Sequence, residues 1–142
     1  MRILLLALSL ILSPCLSAQT VHEVLMLNTG ASGPMPFEPD YLAIEPGDSL
    51  RFIPQDRGHN VGTIKGFIPE GAERFMSKID EDFTTRLDVE GWYGLRCPPH
   101  YSMGMVMLVK VGNPSPDSLM IPVDLPAEAL QRFERIVKAN VR

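Results

Sequence analysis

The feature that most constrains the fold of this chain is a series of short segments in which apolar and polar residues alternate. In residues 83–89, FTTRLDV, the side chains Phe, Thr, Leu and Val occupy every second position. Similar segments recur between residues 21 and 111, and turns such as EPGD at 45–48 separate them. Alternation with a period of two predicts half-buried strands. Strands at this spacing favour an antiparallel β-sandwich over alternating β and α units.

The pattern changes past Gly112. Residues 127–141, AEALQRFERIVKANV, carry apolar side chains at helical spacing and predict a C-terminal helix packed on the sandwich. The apolar positions are Leu130, Phe133, Ile136 and Val137, and the intervening basic positions, Arg132, Arg135 and Lys138, are expected to form a solvated face. We therefore predict a helical extension over about 114–142. Residues 69–78 are predicted to hold one helical turn.

The N-terminal segment has the pattern of a secretory signal peptide. MRILLLALSLILSPCLSAQT opens with a basic residue, continues through an apolar run and ends in small residues before Gln19. The run is too short to span a membrane, so no membrane anchor is expected. Residues 1–18 are thus expected to be cleaved, leaving a single domain over 19–142. Of the two cysteines, Cys15 leaves with the signal and Cys97 remains as a lone thiol.

Size and charge limit the classes of function. A chain of 142 residues has room for one domain with a core. The formal net charge of -4, without a basic tract, argues against nucleic acid as a partner.

The methionines Met26, Met107 and Met120 are expected to fill the core.

Potential metal ligands are concentrated in residues 97–105, CPPHYSMGM. Cys97, His100 and Met105 lie at a spacing that lets a loop between two adjacent strands turn their side chains toward one point. The remaining histidines are His22, expected at a frayed N-terminus, and His59, in the turn DRGHNVG. His59 is therefore the candidate for the fourth ligand.

This donor set favours copper. A site of two imidazoles, one thiolate and a weak axial thioether is typical of blue-copper electron transfer. Zinc accepts Cys and His but gains little from a thioether. Four protein donors leave no open position for a substrate, which argues against metal-assisted hydrolysis.

The segments GHNV, CPPHYSMGM, FEPDYLAIEPGD and IPEGAERF together resemble the cupredoxins, and among them the pseudoazurins. The resemblance runs along most of residues 19–142. It implies an all-β Greek-key sandwich of about eight strands with C-terminal helices, and one copper ion held by His59, Cys97, His100 and Met105. It also implies a periplasmic electron carrier, expected to be monomeric, that donates to a redox partner such as copper-containing nitrite reductase and catalyses no transformation itself.

The same resemblance suggests roles for residues near the site. The partner is expected to dock near His100, with Arg57 and Arg96 at the rim. The backbone N–H of Asn60 is expected to donate to the Cys97 sulfur, which would tune the potential. Met35 is expected near a histidine ligand. Pro98 departs from the threonine usual in the family and removes a side-chain link to Asn60.

Other interpretations of the same residues stay open. Cys97 alone fits a buried, inert cysteine, the usual state of a free thiol. A Cys/His nucleophile is a second alternative, but it lacks an obvious orienting group. A copper protein for storage or delivery is a third; ligands divided between two loops of a folded domain favour retention of the ion instead.

Overall fold

A computed structural model describes residues 18–141; the predicted signal peptide falls almost wholly outside the described residues. Ten strands precede a C-terminal helix: β1 Val21–Met26, β2 Thr29–Gly30, β3 Gly33–Pro34, β4 Phe37–Glu38, β5 Tyr41–Ile44, β6 Ser49–Pro54, β7 Gly62–Thr63, β8 Phe83–Arg86, β9 Gly91–Arg96 and β10 Val106–Val111. Short 3₁₀ helices span Pro98–Met103 and Pro116–Ser118, and α1 spans Ala127–Asn140. Within residues 18–141, no helix has the length and apolar character needed to cross a bilayer.

Eight of the strands form two four-stranded sheets, in the orders β4-β1-β6-β8 and β5-β10-β9-β7, while β2 and β3 form a small separate ribbon. This confirms the sandwich of about eight strands. Most strand pairs are antiparallel, but β1 pairs with β6 and β5 with β10 in parallel. Each parallel pair joins strands distant in sequence, as Greek-key crossovers do where hairpins do not.

Strand β10 is apolar along nearly its whole length because both of its faces are covered. Met107, Val109 and Val111 point into the interior between the two sheets. Val106 and Leu108 point the other way, into a second cluster formed with the helix. A strand buried on both faces has no solvated side to carry polar residues, which explains the sequence VMLVKV.

The second cluster fixes helix α1 against the outer face of the β9–β10 sheet. The Phe67 and Phe133 rings lie 5.1 Å apart between centroids, and both are buried. Gly94 lies under Phe67 so closely that an added Cβ would overlap the ring. Glycine at this position therefore allows the helix-side cluster to pack on the strand that leads to Cys97.

The predicted C-terminal helix is confirmed, but two predictions about the burial of individual side chains were wrong. Arg132 is 3% exposed instead of solvated, because its Nη2 donates a hydrogen bond to the Pro34 carbonyl over 2.8 Å. Met120 is 78% exposed instead of buried, because the segment before the helix lies on the surface. One α-helix is present in residues 18–141, and the other helical piece of the extension is a single 3₁₀ turn.

Two further expectations, about residues 69–78 and about His22, were wrong. Residues 69–78 do not form a helical turn beyond one bond from the Ala72 N–H to the Pro69 carbonyl; residues 75–77 run extended and bond with residues 61–63. His22 is not frayed but lies in β1, where its Nε2 is 2.9 Å from Asp48 Oδ2.

Candidate metal centre

The 97–105 segment is a loop between two adjacent antiparallel strands. Cys97 follows β9 directly, His100 lies in the 3₁₀ helix, and Met105 precedes β10. The loop is closed by its own backbone: the Cys97 N–H donates to the Met105 carbonyl over 2.9 Å, and the Met105 N–H donates to the His100 carbonyl over 3.1 Å. The three candidate ligands are thus held on one closed loop, as their spacing predicted.

His59 is held by different means. Its segment, residues 58–63, lies beside residues 75–80, and the two segments exchange hydrogen bonds along their length. Asn60 Nδ2 donates to the Ser77 carbonyl over 3.1 Å, and the Val61 N–H donates to Ser77 Oγ over 3.1 Å. The Asn60 side chain therefore has a hydrogen-bond partner, the Ser77 carbonyl, although Pro98 has no hydroxyl to offer it.

Three donor atoms meet between the loop and the His59 segment. Cys97 Sγ lies 3.8 Å from His59 Nδ1 and 3.6 Å from His100 Nδ1, and the two Nδ1 atoms are 3.1 Å apart. Among residues 18–141, these three form the cluster of His, Cys, Asp and Glu side chains suited to hold a metal ion. His59, Cys97 and Met105 are fully buried, while His100 is half-buried. His22, paired with Asp48, lies outside this cluster.

A second interaction orients the buried imidazole. His59 Nε2 lies 2.9 Å from Asn28 Oδ1, so a ring protonated on Nε2 donates there and leaves the Nδ1 lone pair for a metal. Asn28 was not predicted from the sequence as part of the site. The only signal for it is its place in the turn-rich stretch after the first strand, which indicates a loop but not a hydrogen bond to His59.

Burial shapes the protonation of the site. It raises the pKa of the Cys97 thiol, while backbone hydrogen bonds from Asn60 and His100 act in the opposite direction. Burial also lowers the pKa of His59, and the neighbouring His100 lowers it further. A buried imidazole with a lowered pKa beside a buried thiol forms an environment in which a metal ion can replace the thiol proton.

The donor positions fit a single ion of copper size. Nitrogen and sulfur atoms bound about 2.0–2.3 Å from one metal lie roughly 3.3–3.8 Å apart at trigonal to tetrahedral angles. The three measured separations fall in or just below that range. Met105, whose soft thioether is the predicted fourth donor, lies on the same closed loop. Two imidazoles, a thiolate and a thioether suit copper better than zinc or a hard cation.

The two arginines predicted for the docking rim, Arg57 and Arg96, differ in their exposure to solvent. The Arg57 side chain is 94% exposed, and its Nε lies 3.7 Å from Asp80 Oδ2. Arg96 is half-buried, and its guanidinium lies 5.0 Å above the Tyr101 ring. Met35 packs against the inter-sheet core.

Large apolar side chains that are about half exposed flank the site on the 97–105 loop and the 75–80 segment: Met76, Ile79 and Met103.

Comparison with known proteins agrees with this arrangement. Residues 24–112 match the model of the copper-binding proteins of the plastocyanin/azurin family. The chain is 47% identical over 115 residues to a pseudoazurin of Paracoccus pantotrophus, an alignment that covers 80% of this chain and 79% of that one.

Solved structures resemble the chain over most of its length. The pseudoazurin of Methylobacterium extorquens AM1 superposes with a TM-score of 0.79 at 38% identity, covering 84% of this chain and 98% of that one. The native pseudoazurin of Hyphomicrobium denitrificans gives a TM-score of 0.79 at 31% identity, covering 87% and 100%. The chain therefore belongs to the plastocyanin/azurin family of copper-binding proteins and, within it, to the pseudoazurins, which transfer electrons and are not enzymes.

Proposed function

We propose that this protein is a periplasmic one-electron carrier in which His59, Cys97, His100 and Met105 hold one copper ion. The observation that carries the proposal is the meeting of three donor atoms within 3.8 Å of one another, on two segments that are separately held by hydrogen bonds. Met105 is proposed as the fourth ligand; its backbone is bonded to both Cys97 and His100, which keeps it on the same closed loop.

The bound ion supplies a Cu(II)/Cu(I) couple in this donor set. The protein supplies a frame that changes little when an electron is gained or lost. Cys97 and His59 are fully buried, Asn28 fixes the His59 ring, and the 97–105 loop is closed by its own hydrogen bonds. Donors held in one arrangement for both oxidation states keep the reorganisation small.

His100 is the proposed contact point for electron exchange, because it is the half-buried member of the cluster. Pro99 and Met103 beside it are exposed and would give a partner an apolar surface to press against. Arg57 and Arg96 are proposed at the rim, where positive charge would steer an acidic partner. A copper-containing nitrite reductase is the proposed acceptor, and the carrier is proposed to act as a monomer exported through the signal peptide at residues 1–18.

The visible absorption spectrum of the mature protein with Cu(II) tests the site. An intense thiolate-to-copper band is expected in the native protein and is lost in Cys97→Ala. Met107→Leu is a matched control, because Met107 is fully buried in the core but is not a proposed ligand; it should keep the band. A native protein without the band would contradict the proposal.

Storage or delivery of copper is the alternative function, and kinetics separate it from electron transfer. An electron carrier exchanges electrons between its oxidised and reduced forms faster than it gives the ion to a chelating acceptor. Ligand burial favours slow release. Rapid metal transfer with slow electron self-exchange would favour the delivery function.

A further inference from the structure

Asp80 has a backbone conformation that few residues adopt. It ends the 75–80 segment with φ of 59°, in the left-handed region. Asparagine and aspartate enter this region more readily than other residues with a side chain. Its side chain is 31% exposed, so the carboxylate stands at the edge of the site instead of fully in solvent.

Asp80 binds one peptide group on each side of His59. Its Oδ1 accepts a hydrogen bond from the Gly58 N–H over 2.6 Å. Its own N–H donates to the His59 carbonyl over 2.8 Å. The backbone that carries His59 is therefore clamped by a single residue, and the side chain supplies half of the clamp.

The carboxylate also brings a negative charge close to the buried ligand. Asp80 Oδ1 is 2.6 Å from the N of Gly58, the residue directly before His59, and the Asp80 side chain is about one third exposed, so its charge acts on the His59 position with less screening than in open solvent. Among residues 18–141, Arg57 lies within ion-pair distance of Asp80, with its Nε 3.7 Å from Asp80 Oδ2. The Arg57 side chain is almost fully exposed, so this ion pair is weak.

We propose that Asp80 is a positioning residue of the metal site, which fixes the His59 segment through its carboxylate and whose negative charge favours the oxidised state. The inference rests on the proposed copper function. Because Cu(II) carries one more positive charge than Cu(I), a fixed negative charge nearby stabilises the oxidised form and lowers the reduction potential.

Two variants separate position from charge. Asp80→Asn removes the charge but keeps an acceptor oxygen and a residue that tolerates positive φ. Asp80→Gly removes the acceptor without backbone strain, since glycine adopts positive φ freely. Asp82→Asn is the matched control, because Asp82 is exposed and its carboxylate binds Arg51 instead of the His59 segment.

Three readouts are measured on each variant: the thiolate-to-copper band, the reduction potential, and amide exchange of Gly58 by NMR in the metal-free protein. Asp80→Asn is expected to keep the native band and the Gly58 protection and to raise the potential above that of Asp82→Asn. Asp80→Gly is expected to lose Gly58 protection, to shift the band and also to raise the potential.

A native band and unchanged Gly58 protection in Asp80→Gly would overturn the positioning role. A potential in Asp80→Asn no higher than in Asp82→Asn would overturn the effect of charge. Failure of the copper function is distinct from both, because the native protein itself would then lack the thiolate band.

Discussion

Removing the amide of Asn28 should weaken copper binding measurably. In Asn28→Ala the His59 Nε2 loses the acceptor that lies 2.9 Å away, and the ring is fully buried. A buried donor left without a partner costs about 1–3 kcal/mol. Loss of such an outer hydrogen bond typically reduces metal affinity about 10–100-fold, which corresponds to roughly 1.4–2.8 kcal/mol. The two estimates agree.

The backbone at residue 28 should remain in place in this variant. The Asn28 N–H donates to Asp56 Oδ2 over 2.6 Å, and its carbonyl accepts from the Met35 N–H over 2.9 Å. Neither bond involves the amide side chain. A change in affinity can therefore be assigned to the His59 ring and not to rearrangement of the loop.

The assay is competition for Cu(I) against a chelator of known affinity. Asn28→Asp keeps an acceptor oxygen and is expected to retain most of the native affinity. Asn113→Ala removes an exposed amide whose Oδ1 accepts only a long bond from Lys110, and it should change nothing. If Asn28→Ala binds Cu(I) as tightly as the native protein, the amide does not hold the imidazole in its ligating form and the reasoning fails.

Three other predictions concern the helix, the N-terminal strand and the rim. Phe133→Ala should lower the free energy of unfolding by about 3–5 kcal/mol, since the ring is fully buried against Phe67, and urea titration should detect this without a change in the copper spectrum. Hydrogen bonds from His22 and from backbone N–H groups lower the pKa of Asp48 below its ordinary value. The stabilisation that the Asp48 carboxylate gives the folded state is therefore present near neutral pH and is lost as the pH falls through the lowered pKa. Asp48→Asn should thus destabilise the protein by about 1–2 kcal/mol near neutral pH, and denaturation curves should converge with the native ones in acid; a constant difference would refute the linkage. Arg57→Glu should slow electron transfer to an acidic partner and flatten its dependence on ionic strength; an unchanged rate and salt slope would remove Arg57 from the docking surface.

The sequence predicted the loop that carries three candidate ligands because the information for such a loop is local. Cys97, His100 and Met105 lie on one closed loop between paired strands, so their spacing alone indicates that they can converge. His59 was inferred from the scarcity of histidines, and the geometry agrees. Asn28 and Asp80 were missed because the side chain of each acts through one hydrogen bond to a distant segment, and no periodic pattern marks such a bond.

The errors in the helical extension have a similar origin. Arg132 was expected on a solvated face because its charge interrupts the apolar stripe. Its long stem nevertheless reaches the Pro34 carbonyl, a partner nearly one hundred residues away in sequence. Met120 was expected in the core because of its type, yet apolar residues also occur singly on protein surfaces. Residue type predicted strands and helix better than it predicted individual burial.

His59 and His100 differ in their exposure to solvent, and this difference bears on the order in which redox partners can bind. His59 is enclosed and tied to Asn28, whereas His100 alone is half-open to solvent. His100 is the proposed contact both for electron entry and for electron exit, so donor and acceptor would compete for the same surface and would not be bound together. Each turnover requires one partner to depart before the next arrives. Throughput then depends on fast dissociation, and a small, weak interface serves this carrier better than a tight one.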